Sequence, residues 1–212
     1  MGRLADLDAV TLDANGTLIR LVDPVPKLER ILRARGVELP TNAIRRAFEA
    51  EGRVYASRAA KAHEPEAFAA IQHECTGVFL AEAGAATLDP EEFAPHYVAA
   101  MDFELVPGVI DALRFLRRCG LELAVVANFD LTLGERLETL GLTTWFSAVV
   151  TPADAGAAKP DPAIFELALA RLGVATDRTL HVGDGGRDEV GALNAGLHFE
   201  WAPLDTALAR WT

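Results

Sequence analysis

The stretch Ala9-Val10-Thr11-Leu12-Asp13-Ala14-Asn15-Gly16-Thr17-Leu18-Ile19 decides how the rest of the chain is read. An apolar run ends in a carboxylate, and an Asn-Gly pair follows at once. The pattern predicts a short buried strand over residues 7–13 that delivers Asp13 to a sheet edge. In open α/β sheets, ligands bind just beyond the carboxyl ends of the strands, so Asp13 is the first candidate functional residue.

Beyond Pro107-Gly108 the same logic repeats. Strands are predicted at Leu121–Ala127, Ser147–Thr151, Thr179–Val182 and Leu197–Trp201. Between them lie helical patterns at Val109–Cys119, Leu131–Leu140, Pro162–Leu172 and Arg187–Ala195, each followed by glycine. Strands alternating with helices predict a doubly wound, Rossmann-like α/β core with a parallel sheet. The text between differs. Lys27–Arg35 carries Leu28, Ile31 and Leu32 on one helical face, and Gly36 stops it. Thr41 is read as the N-cap of a helix through Ile44, Ala47 and Phe48 towards Ala60. Phe68, Ile71, Cys75, Val78 and Phe79 mark a helix over Glu64–Ala83. Asp89-Pro90-Glu91-Glu92 opens another, with Phe93, Tyr97 and Met101. The expected division is a core of residues 1–20 and 104–212 interrupted by an all-helical subdomain, 21–103, without strands.

With 212 residues, half of them hydrophobic, the chain can bury a sizeable core. A formal net charge of −11 argues against a nucleic-acid partner, since phosphate backbones are held by surplus Lys and Arg. A small anion needs only one lysine and a few backbone N–H groups. Two cysteines suggest a reducing compartment and no disulfide framework. No apolar run reaches transmembrane length and the start lacks a signal-peptide layout, so a cytoplasmic protein away from membranes is expected.

The predicted strand ends present Asp13, Asn128, Lys159 (in the loop after Thr151) and Asp184 to one rim, with Asp188 four residues beyond Asp184. Carboxylates gathered together need a cation, and hard oxygen donors suit Mg²⁺. A carboxylate can also serve as a nucleophile.

Four ordered motifs then resemble the haloacid dehalogenase superfamily, in the branch with a helical cap inserted after the first strand. They are Asp13-Ala14-Asn15-Gly16-Thr17-Leu18, Val125-Val126-Ala127-Asn128, Lys159-Pro160, and Gly183-Asp184 followed by Asp188. The resemblance implies Asp13 as nucleophile and metal ligand, with the Asn15 carbonyl, Asp184 and Asp188 completing a Mg²⁺ site. It implies that Lys159 neutralises the nucleophile and phosphate. Thr17, with N–H groups of the 14–18 loop and of Asn128, would cradle the phosphoryl oxygens. Two positions depart from the family's phosphatases. Asn15 replaces the Asp that exchanges a proton with leaving group and water, and Ala127 lacks the expected phosphate-binding hydroxyl. The expected function is a weakened phosphatase of small phosphate esters. The alternatives are carbon–halogen hydrolysis, which needs no such proton, and a catalytically silent member that binds a phosphate ligand or a protein. Substrate and oligomeric state are not legible.

Blander roles stand beside these. Asp188 is also an acid at a helix N-terminus, where the dipole favours it. Asn15-Gly16 is also a favoured turn pair. His63, His73 and His96 read as surface or core residues of the insertion, and His181 as a satisfied core histidine. Phe129, Trp145 and Trp201 read as packing residues and Arg20 as a solvated arginine. Arg53, Tyr55 and Arg58 are candidates for the inner face of the cap.

Overall fold

The computed structural model describes residues 3–58 and 64–211. The chain forms two compact units, Met1–Arg20 with Glu104–Thr212, and Leu21–Phe103.

The first unit is built on a five-stranded sheet of β1 (Ala9–Leu12), β4 (Glu122–Val126), β5 (Ala148–Val150), β6 (Thr179–Gly183) and β7 (His198–Trp201). Its order is β5-β4-β1-β6-β7, and every pairing is parallel. The chain steps outward from β1 through β4 to β5, then crosses back to β6 and β7. The switch point therefore lies between β1 and β6, where open α/β sheets place their ligands. Strands covered on both faces need continuous apolar runs. All four residues of β1 and all five of β6 are buried. Helices α5 (Val109–Arg118), α6 (Leu133–Thr139), α7 (Pro152–Ala155), α8 (Ala163–Leu172), α9 (Gly186–Asn194) and α10 (Leu204–Ala209) complete the unit. Val126, Val150, Ile164, Phe165, Leu169 and Ala192 pack together as one of its cores.

The second unit contains α1 (Val25–Arg33), α2 (Thr41–Arg58), α3 (Pro65–Ala83) and α4 (Pro90–Val98). Leu28, Leu32, Ile44, Phe79, Phe93 and Tyr97 form its core. Phe79 stacks near Phe93 at 6.3 Å between ring centroids and meets Tyr97 at 4.9 Å. Asp89 caps α4 by accepting the Glu91 N–H at 2.8 Å. Thr41 does not cap α2. The Pro40 carbonyl accepts the Ala43 and Ile44 N–H groups, so Thr41 is already inside the helix, and its hydroxyl donates to Glu29. Ala60 and His63 lie outside the described residues.

One expectation is corrected. Residues 21–103 are not free of strand. A two-stranded sheet pairs β2 (Ile19–Leu21) with β3 (Phe103–Leu105), one strand ending at Leu21 and the other beginning at Phe103. Three residues each are too few to show a period-2 pattern, and their pairing joins segments far apart in sequence. Among the described residues, no helix is long and apolar enough to cross a membrane. Cys75 is buried, Cys119 is exposed, and both are free thiols.

Candidate active site

Asp13 directly follows β1 and Asp184 directly follows β6, the two strands at the switch point. Asp188 comes from the first turn of α9. These three carboxylates each place an oxygen within 4.8 Å of the others, and they are a candidate metal cluster among the described residues. Asp13 and Asp188 are buried, and Asp184 is exposed.

Lys159 is the inner cation. Its Nζ donates to Asp13 Oδ1 and Asp188 Oδ1, both at 2.5 Å, and to the Val126 carbonyl at 2.8 Å. The carbonyl at the end of β4 thus takes the third donor of the ammonium. Asn128 holds the lysine's backbone from both sides. Its Oδ1 accepts the Lys159 N–H at 2.8 Å, and its Nδ2 donates to the Lys159 carbonyl at 2.9 Å. The sequence had offered Asn128 as a phosphate-binding residue; its side chain clamps the lysine loop.

The 14–18 loop is tighter than expected. Gly16 N–H donates to the Ile19 carbonyl and Leu18 N–H to the Ala14 carbonyl, so these two donors are already engaged within the turn. Gly16 has φ +88°, and a Cβ there would collide with Asp184 Oδ2. Glycine is required both for the turn and for the close approach to the carboxylate. Asn15 is exposed at the tip of this loop. Among the described residues, Thr17 Oγ1 is buried with no hydrogen-bond partner. Ala127 is buried with a methyl group where a hydroxyl was sought.

Two glycines of the last motif serve Asp188. A Cβ on Gly183 would meet Asp188 Cβ and Cγ at 2.5 Å. Gly185 donates its N–H to Asp188 Oδ2 at 3.1 Å. Asp188 is therefore more than a dipole-stabilised helix acid, since it also contacts Lys159 and His181.

His181 is buried and satisfied, as the sequence suggested, but its partners were not foreseen. Nδ1 lies 2.9 Å from Thr11 Oγ1, and Nε2 lies 3.2 Å from Asp188 Oδ1. Its position four residues before Gly185 offered one signal, a polar side chain in an otherwise apolar strand. Thr11 gave the same signal in β1.

Burial raises the Asp13 carboxyl above its ordinary range, with Lys159 opposing the shift. Asp184 is also raised, by desolvation and then by the Asp188 charge. Burial acts on Asp188 in the same sense, but the His181 hydrogen bond and the Lys159 charge outweigh it and bring the value to about 2. Burial lowers His181, so the ring is neutral near neutral pH. An ionised Asp188 beside a cation, with a second, raised carboxyl at Asp13, separates two acids of identical chemistry. The donor set is entirely carboxylate oxygen, with one member open to solvent and two neighbours stripped of Cβ. Such a set can hold a hard divalent cation.

Other candidates fall outside this cluster. His73 and His96 are exposed. Arg20 pairs with Glu104 at 2.6 Å and Arg58 with Glu74 at 2.9 Å, while Tyr55 packs beside Ile71 and Cys75. Trp145 is half-buried, and Trp201, 42% exposed, packs edge-on against Phe199 at 5.2 Å between ring centroids.

Comparison with known proteins places this geometry. The family model for haloacid dehalogenase-like hydrolases matches residues 7–196. The chain is 30% identical over 207 residues to the bovine (Bos taurus) haloacid dehalogenase-like hydrolase domain-containing protein 3, covering 93% of this chain and 82% of that one. It is 31% identical over 204 residues to the phosphoglycolate phosphatase of Caulobacter vibrioides, covering 93% and 80%. In fold it is similar to the 2-haloacid dehalogenase structure from Pseudomonas syringae, with TM-score 0.63 and 24% identity over 97% of this chain and all of that one. The match runs through every strand and loop that supplies the carboxylates and the lysine, and this chain belongs to the haloacid dehalogenase-like hydrolases.

Proposed function

We propose that this chain is a Mg²⁺-dependent hydrolase of small phosphate esters, acting through Asp13. The observation that carries the reading is the group Asp13, Asp184 and Asp188 with Lys159 bonded to its two buried members. A phosphatase among its relatives over most of the chain supports the same class.

Asp13, Asp184 and Asp188, with the Asn15 carbonyl, would hold the ion. When bound, Mg²⁺ supplies positive charge against which phosphoryl oxygens can be held. Asp13 attacks phosphorus; its oxygen–phosphorus bond forms as the bond to the leaving oxygen breaks. Water then attacks the phosphoryl-aspartate; its new bond forms as the bond to Asp13 breaks, and phosphate leaves. The water's proton passes to solvent, as the leaving oxygen of the first step had drawn its own from there. Lys159, positioned by Asn128 and Val126, keeps positive charge against the nucleophile throughout. The unpaired Thr17 hydroxyl is a ready donor to a phosphoryl oxygen. The helical unit 21–103 would serve as the cap that keeps bulk water from the reaction.

Asn15 sets the rate. An amide cannot give up or take a proton at neutral pH. Missing general acid–base catalysis lowers a rate by about 10²–10⁴-fold. The hydroxyl absent at Ala127 removes a hydrogen bond worth about 1.5–3 kcal/mol. Turnover is therefore slow, and phosphates with good leaving groups are favoured over alkyl esters. A phosphomonoester screen with Mg²⁺, run on the natural protein and on Asn15→Asp, tests the reading. Slow turnover that rises in Asn15→Asp is expected; none in either protein would defeat it.

Asn15 also gives carbon–halogen hydrolysis a foothold, since halide leaves without a proton. The exposed Asp184 beside Asp188 is superfluous to that chemistry and weighs against it. Halide release from a 2-haloacid in the presence of a chelator would reverse the preference.

A further inference from the structure

Thr11, His181 and Asp188 form a buried line behind the carboxylate cluster. Thr11 and His181 are direct cross-strand partners in the parallel β1–β6 pair, so their side chains share a face. Both are wholly buried, and Asp188 is 4% exposed. The line runs from Thr11 Oγ1 to His181 Nδ1 at 2.9 Å and from His181 Nε2 to Asp188 Oδ1 at 3.2 Å.

Its direction follows from charge. Asp188 accepts from the Lys159 ammonium and from the Gly185 N–H, and a carboxylate has no proton to return. His181 must therefore carry its hydrogen on Nε2 and donate it to Asp188. A neutral ring then presents Nδ1 as acceptor, and the Thr11 hydroxyl must be the donor. The ring plane is fixed as well. Phe165 meets it edge-on at 4.9 Å and 86°, and Phe199 lies 6.2 Å away.

We propose that His181 is a positioning residue for Asp188, and that Thr11, by donating to Nδ1, holds the ring in the rotation from which it acts. The two bonds to Oδ1, from His181 and Lys159, turn the carboxylate so that Oδ2 keeps a lone pair to offer a cation. A ligand carboxylate oriented in this way is the role of an outer hydrogen-bond partner at a metal site. The inference rests on Asp188 being a ligand, as read above.

The test is Mg²⁺ titration by calorimetry, together with ¹⁵N NMR of the His181 ring and thermal melts of every variant. Asp184→Asn reports on the metal site itself and is expected to weaken binding. His181→Gln carries an amide donor out to the position of Nε2 and should stay close to the natural protein. His181→Asn stops short, at the position of Nδ1, and should weaken Mg²⁺ by about 10-fold or more. The natural protein should show the Nε2–H tautomer, and Thr11→Val should keep it, because Asp188 sets it, yet weaken Mg²⁺ because the ring is no longer held at Nδ1. A weakened Asp184→Asn beside unchanged His181→Asn and Thr11→Val would overturn the inference and leave the metal site standing. So would an Nδ1–H tautomer in the natural protein, or equal losses in the Gln and Asn variants. No Mg²⁺ binding by the natural protein would overturn both. Should the His181 variants fail to fold, Thr11→Val and the ring spectrum decide.

Discussion

Lys159 touches two buried carboxylates and a strand-end carbonyl, and nearly all of it lies away from solvent. Removing one partner of a buried ion pair leaves the other charge without compensation, at about 3–5 kcal/mol. Lys159→Met should lower stability by that amount in denaturant titrations performed with chelator. Mg²⁺ should restore part of the loss, because a cation that binds only the folded state stabilises it by mass action. A variant as stable as the natural protein without metal would show that the ammonium matters less than its contacts suggest. Asn15 is the opposite kind of residue, exposed and at the loop tip, so its exchange for Asp should alter turnover and leave melting nearly unmoved.

At the scale of elements, β6 shows how a strand serves a site it does not itself occupy. His181 and Gly183 are two residues apart and face the same side. The first holds Asp188 and the second makes room for it. Gly183→Ala would drive a methyl group into Asp188, and overpacking of this kind destabilises by about 1–3 kcal/mol. Mg²⁺ affinity should fall with it, and a calorimetric titration beside a melt checks both. Unchanged affinity would mean that α9 can shift without disturbing its carboxylate. The same strand shows what a sequence can tell. β1, β4 and β6 were readable because burial on both faces demands apolar runs, and α8 was readable because Gly173, in the left-handed region, ends it. The carboxylates and lysine were readable because topology sends every strand's carboxyl end to one rim. The Thr11–His181 contact was not, since it spans 170 positions and exists only through the β1–β6 register. Nor were α7 and α10, since each is under two turns and too short for the apolar spacing to repeat.

Each unit of the molecule has a core of its own, and that of the helical unit contains a carboxyl. Glu51 is 6% exposed and accepts a 2.8 Å hydrogen bond from Tyr97. Burial raises its pKa above 4.5, with bonds from Tyr97 and Cys75 only partly opposing the shift. Above the unfolded value, the folded chain keeps a proton that the unfolded chain has released. Stability is therefore fully present below 4.5 and falls as pH rises through the folded value. Thermal midpoints recorded across that range should decline in the natural protein and flatten in Glu51→Gln; equal slopes would count against it. The strands β2 and β3 carry a consequence for the chain's modularity. Leu18 and Val106 are hydrogen-bonded through their backbones, and so are Val22 and Asp102. The chain therefore departs and returns along one antiparallel ladder, whose strands stand only about 5 Å apart. Exchanging residues 22–102 for an Asn-Gly turn would close an ordinary hairpin, with no chain left to span a gap. The shortened polypeptide should melt cooperatively with the parallel sheet intact, and failure to do so would show that the sheet depends on the helices it surrenders. In assembly terms, the helical unit is a cassette whose entry and exit run side by side, so that cutting it out leaves two chain ends already paired.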